Sequence, residues 1–145
     1  MNTTGPKTDN RTEARELALK LLYVLDGTKE LPLDEIDGML DEHGRSVLDR
    51  DYARAVFTDV KNNLEQIDNA IQEAAENWVV SRMPSIDRSV LRLATAELLF
   101  QFDIPPKVSI NEAVNLAKKF STAKSGSFVN GVLDRVFQTQ CPEKV

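Results

Sequence analysis

Side chains able to make and break bonds are few in this 145-residue sequence, and they lie far apart. The single histidine, His43, sits in an acidic Glu42-His43-Gly44 turn with no nucleophile at a recognisable spacing, so it reads as an exposed turn residue. The single cysteine, Cys141, is near the C-terminus; it cannot form a disulfide within the chain, and one Cys with one His is too few for a zinc site. The 23 Asp and Glu residues give many chance pairs on amphipathic helices, which is weak ground for acid-base chemistry. Gly126 and Gly131 have neither dinucleotide-binding nor Walker spacing and follow no strand. No catalysis is expected.

Binding chemistry is better represented. Lys118-Lys119-Phe120-Ser121-Thr122-Ala123-Lys124-Ser125-Gly126-Ser127-Phe128 places three lysines around a turn that leads into a helix. Free backbone N–H groups and the helix dipole favour phosphate oxygens at such an N-terminus. Phe128, in the first turns of that helix, has two readings: a ring that stacks on an unpaired base, or a core ring beside a solvated lysine cluster. Asn130-Gly131 inside the same helix is unfavourable for helix formation and is best explained by a close helix crossing, with Asn130 bonded to a neighbouring backbone.

Composition sets the frame for these residues. The chain is 41% hydrophobic and 28% charged, ordinary for one globular domain with a real core. It has no run long enough to span a bilayer and no signal-like start, so a soluble protein in a reducing cytoplasm is expected. The net charge of -5 is unevenly spread: residues 26–51 hold three Lys/Arg against nine Asp/Glu, whereas 79–145 hold nine against six and 1–25 hold four against three. Basic ends around an acidic middle are compatible with solvated helix faces or with a nucleic-acid site built from both termini.

The elements that must position these groups follow from apolar spacing. Residues 1–10 read as a flexible arm. Ala14, Leu17, Ala18, Leu21, Leu22 and Leu25 form one helical stripe, which Gly27 stops. Pro32 opens a short acidic helix with Leu33, Ile36 and Leu40 inward, ending before Gly44. Ala53, Val56, Phe57, Val60, Leu64, Ile67, Ile71 and Ala74 predict one long helix, bent near Asn62-Asn63. Ser85 and Asp87 predict a capped start for a central, buried helix carrying Ile86, Val90, Leu91, Leu93, Ala94, Leu98, Leu99 and Phe102. After Pro105-Pro106, Ser109 and Glu112 have capping-box spacing ahead of Ala113, Val114, Leu116, Ala117 and Phe120, and a last helix runs through Phe128, Val129, Val132, Leu133, Val136 and Phe137. Strand alternation is nowhere sustained. The expectation is an all-α compact bundle of six to seven helices.

Three ordered segments carry a family resemblance: Met83-Pro84-Ser85-Ile86-Asp87-Arg88-Ser89-Val90-Leu91-Arg92-Leu93-Ala94, Pro105-Pro106-Lys107-Val108-Ser109-Ile110-Asn111-Glu112-Ala113-Val114, and Phe128-Val129-Asn130-Gly131-Val132-Leu133-Asp134. Together with Ala14-Arg15-Glu16 and Leu22-Tyr23, they make the chain from Arg11 to Phe137 resemble the NusB family of bacterial transcription antitermination factors. The resemblance implies a single NusB-like domain over 11–140, in two packed helical subdomains at about 11–77 and 78–138. It also implies binding of the boxA element of ribosomal RNA leader transcripts together with NusE, a small-subunit ribosomal protein, within an RNA polymerase antitermination complex. Neither cofactor nor catalysis is implied.

Carried over residue by residue, the family's RNA contacts fall on Arg11, Arg15, Tyr23, Lys124, Ser127 and Phe128, and its partner surface on Asp87, Arg88 and Arg92. The chain departs from the family pattern at its start, where Lys7, Arg11 and Arg15 alternate with Asp9, Glu13 and Glu16 instead of forming a dense arginine cluster. Lys124 stands where relatives often have an acid, and Ser127 where a basic residue is common. A second reading is therefore a helical protein-interaction adaptor with a weakened RNA site. A NusB-like domain also begins some ribosomal RNA cytosine methyltransferases, a reading that would require a cofactor-binding domain absent from these 145 residues. Monomer and homodimer are both open.

Overall fold

In the computed structural model, which describes residues 10–28, 33–44 and 46–145, the segment with the broadest apolar surface becomes the central helix. In chain order the helices are α1 (Thr12–Thr28), α2 (Leu33–His43), α3 (Val47–Asn62), α4 (Leu64–Ala74), α5 (Ser85–Phe100, the central helix), α6 (Pro106–Phe120) and α7 (Ala123–Gln140), with a 3-10 turn at Val80–Arg82. Among the described residues there are seven α-helices and no strand, as the apolar periodicity implies.

Helix α5 packs against α1, α3, α4, α6 and α7 at once, and Val90, Leu91, Leu93, Ala94, Ala96 and Leu98 are all buried. The stripe of α1 (Leu17, Ala18, Leu21, Leu22) lies between α3 and α5, and the antiparallel pair α6 and α7 closes the other side. One continuous apolar cluster runs from Leu17 to Cys141 and takes side chains from every helix. Each fully buried Leu or Ile contributes about 1.5–3 kcal/mol. Burial of this kind, rather than intrinsic propensity, holds the shorter helices α2 and α4.

Several boundaries differ from expectation. The long helix over 53–74 is two helices, and the first begins earlier, at Val47, where Ser46 Oγ accepts the Asp49 N–H at 3.0 Å. At the break, Asn63 leaves helical geometry (φ -126°, ψ 28°), and its side-chain amide donates to Asp59 O at 2.9 Å, competing with the helical ladder. The apolar stripe continues across this break, which is why periodicity shows a bend and not a stop. Ser85 is not a cap: Pro84 holds the cap position, and the Ser85 hydroxyl donates instead to Asp26 Oδ2 at 2.6 Å. Helix α6 starts at Pro106, so Ser109 and Glu112 lie inside it and form no capping box. Phe102 lies beyond the end of α5 and is 84% exposed. Helix α1 runs one residue past Gly27. Residues 1–9 of the arm expected over 1–10, Lys7 among them, and Pro32 lie outside the described residues.

Candidate nucleic-acid interface

The α6–α7 turn is built by hydroxyl groups. Thr122 caps α7, its Oγ1 accepting the Ser125 N–H at 3.0 Å. The Ser125 hydroxyl lies 2.9 Å from Ser121 Oγ and donates to Asp87 Oδ2 at 3.0 Å, which ties the start of α7 to the start of α5. Asp87 is buried, and its other oxygen has no hydrogen-bond partner among the described residues. The close approach assigned to Gly131 occurs at Gly126 instead, where an added Cβ would come within 2.9 Å of the Lys118 stem. At Gly131 nothing lies within 4 Å, and both it and Asn130 are exposed. The close-crossing explanation for Asn130-Gly131 therefore does not hold.

Lys124 and Ser127 are exposed on the first turns of α7, a helix start that carries no acidic residue. Phe128 is half-buried and meets Trp78 edge-on, with ring centroids 5.3 Å apart and planes at 67°. Its ring is partly buried and packs against the core. Trp78, 58% exposed, went unread in the sequence because it falls between periodic segments. The signal was its type: the only tryptophan, placed in a helix interruption.

The α1 end of the predicted site is different. Arg15 is 1% exposed; its Nε donates to Glu97 Oε2 at 2.6 Å and its Nη1 to Glu112 Oε1 at 3.0 Å. Tyr52 donates to the same Glu97 oxygen at 2.6 Å, Ser109 to the other at 2.8 Å, and Thr12 to Glu112 at 2.7 Å. Burial first, then the Glu97 carboxylate, pushes the Tyr52 phenol well above its ordinary range. A guanidinium enclosed by two carboxylates is a core group, so the assignment of Arg15 as a direct RNA contact is corrected. Arg11 reaches the surface, lying 4.8 Å from the centre of the Tyr52 ring and 3.5 Å from Asp103.

Tyr23 lies at the far end of α1 from Arg11, twelve positions or about 18 Å away. It is 51% exposed and lines an apolar groove of about 260 Å³ with Leu19, Ile86 and Phe120. Lys20 and the Glu16–Lys119 ion pair (2.7 Å) form its rim. On α5, Arg88 donates to Asp26 at 2.6 Å and to the carbonyls of Val80 and Met83, and Arg92 bridges Asp26 and Asp68. Burial opposes the charge on Asp26, but hydrogen bonds from Arg88 and Ser85 and the adjacent guanidiniums overcome it and hold the carboxyl well below the usual range. The predicted partner residues Asp87, Arg88 and Arg92 thus share one region but are largely committed to internal bonds. Asp87 in particular presents no surface for a partner.

A sequence model described as the NusB family matches residues 12–138. The chain belongs to the NusB family. Transcription antitermination protein NusB of Trichlorobacter lovleyi is 42% identical over 133 residues, 92% of each chain, and that of Salinibacter ruber is 42% identical over 131 residues, 88% of this chain and 80% of the relative. Among solved structures, T. maritima NusB superposes with a TM-score of 0.84 at 37% identity, covering 94% of this chain and 96% of that one. A structure of antitermination factors NusB and NusE in complex with dsRNA contains a chain with a TM-score of 0.80 at 29% identity, covering 88% and 96%. The resemblance of the three sequence segments to NusB is thereby confirmed, and with it a non-enzymatic transcription antitermination protein. Among the described residues no helix is long and apolar enough to cross a membrane.

Proposed function

We propose that this NusB protein binds the boxA element of ribosomal RNA leader transcripts together with NusE and so supports transcription of ribosomal RNA operons within an RNA polymerase antitermination complex. The observation that carries this reading is the exposed cation Lys124 beside the half-buried ring of Phe128 at the start of α7, in a chain that resembles the NusB of a NusB–NusE–RNA complex. Lys124 and the free N–H groups of α7 hold phosphate, Ser127 and Phe128 meet bases, and Arg11 adds a second cationic point. Tyr23 is reassigned in this reading. Its apolar neighbours Leu19, Ile86 and Phe120 suit a protein partner better than RNA, so the groove they line receives NusE, with Arg88 and Arg92 stiffening the helix beneath.

The test is titration of labelled single-stranded boxA RNA, with and without NusE, at several salt concentrations. Binding should tighten with NusE and weaken with salt at a log–log slope of roughly -2 to -3.5, the value for about three to five phosphate contacts to a single strand. A salt-independent affinity would sink the mechanism. The enclosure of Arg15 favours one second reading, a protein-interaction adaptor with a weakened RNA site, because it removes a cation from α1. Undetectable RNA binding with and without NusE would select it.

A further inference from the structure

On α7, Lys124, Phe128, Gly131 and Arg135 are spaced i, i+4, i+7 and i+11, so they form one stripe along one face of the helix. Opposite that stripe stands Trp78, and between them lies an open groove of about 280 Å³ whose lining includes Asn77, Trp78, Ser127, Phe128, Gly131 and Arg135. We propose that this groove is a subsite for one unpaired base of single-stranded RNA, with Trp78 as its stacking platform and Arg135 at its mouth. The proposal rests on the RNA-binding reading above and extends it beyond Lys124 and Phe128.

Four observations support it. Trp78 leaves more than half of its surface to solvent, yet it is held in place: its ring meets the edge of Phe128, and Gln72 fixes the adjoining backbone by donating to Trp78 O and accepting the Val80 N–H. A platform fixed in advance costs little to order on binding. Gly131 is unfavourable in a helix interior, and no neighbouring atom would obstruct a side chain there, so what the glycine supplies is the empty space of the groove. Arg135 is 59% exposed, and its bonds to Ala74 O and Glu76 are long, at 3.4 and 3.5 Å, which leaves guanidinium donors for a phosphate or a base edge. Lys124 and Arg135 bracket the slot about 16 Å apart, with Glu76 the one carboxylate among the lining residues. Two rings, an amide, a hydroxyl and flanking cations match a flat heteroaromatic base on an anionic backbone.

Because Trp78 is the only tryptophan, its fluorescence reports on the slot directly. Labelled single-stranded boxA RNA is titrated into the full chain, with anisotropy and Trp78 emission read in parallel, and anisotropy is repeated with NusE. Expected are saturable quenching with the anisotropy midpoint, and about tenfold weaker RNA binding for both Trp78→Ala and Gly131→Leu, a loss within the range for one base stack. Gly131→Leu adds a helix-favouring residue in open space, so its melting temperature should not fall and its binding loss cannot be put down to unfolding. RNA binding with unchanged Trp78 emission, and with both variants within twofold of the parent, overturns the subsite and leaves the RNA reading intact. No RNA binding in any arm overturns both. Quenching by NusE alone, with NusE affinity and not RNA affinity lost in the variants, assigns the groove to protein and also overturns the proposal.

Discussion

Arg15 shows how far a residue's role depends on partners that its sequence neighbours do not reveal. On α1 it occupies a position that resembles an RNA contact, yet it is enclosed by Glu97 and Glu112, which lie 82 and 97 residues away. Removing one member of such a group leaves the others buried and uncompensated, which typically costs about 3–5 kcal/mol. Arg15→Ala should therefore lower the free energy of urea unfolding by that amount; a change below about 1 kcal/mol would show that Glu97 and Glu112 find other partners. The sequence did hold a hint. Glu97 interrupts the apolar run Leu93-Ala94-Thr95-Ala96-Glu97-Leu98-Leu99, and an acid on a helix that is apolar all round has to be paired. Which cation pairs with it depends on tertiary structure, so spacing along the chain could not name Arg15. The helix start that carries Lys124 and Ser127 was legible because a single local turn sets it, whereas the contact of Phe128 with Trp78, far back in the chain, was not.

Among the helices, legibility follows the same division. Apolar stripes located every helical segment, with α3 and α4 read as one, because burial of one face is what makes each form. The ends were read less well wherever a side chain bonded away from its own helix. Ser85 was read as a cap but serves as a donor to Asp26, and Ser109 and Glu112 matched a capping box but point into the core. Asp26 is the point at which α1, α5 and, through Arg92, α4 are joined. Its carboxyl titrates lower in the folded protein than in the unfolded chain, so the unfolded state takes up the proton first as pH falls. The stability it contributes is complete above its ordinary value near 3.8 and is lost progressively below it. Asp26→Asn should thus be less stable than the parent at pH 7, and the gap should begin to narrow below about pH 4 and still be narrowing at pH 2. A gap that stays constant over this window would mean that the arginines do not stabilise the charged form.

For the molecule as a whole, one apolar cluster with contributions from every helix leaves no surface along which part of the chain can separate cheaply. Equilibrium unfolding should be a single transition, with Trp78 fluorescence and far-UV circular dichroism superimposing in urea. A Trp78 transition well ahead of the helical signal would divide the molecule into two cooperative units. The charge pattern also acts at this scale, because the cations of α7 sit on a protein of net charge -5. Attraction of a polyanion is therefore confined to one face and short-ranged at physiological salt.

The enclosure of Arg15 has a consequence for how the chain is made. During synthesis the first helix leaves the ribosome long before Glu112 exists, and at about 5–20 residues per second the 97-residue gap takes roughly 5–20 s. Throughout that interval Arg15 has no carboxylate cage, and the stripe of α1 has no α5 to lie against. The nascent chain thus carries an α1 sequence whose apolar stripe has nothing to pack against and whose guanidinium lacks the two buried carboxylates of the folded state. Only the arrival of α6 lets the two ends of the sequence close on each other.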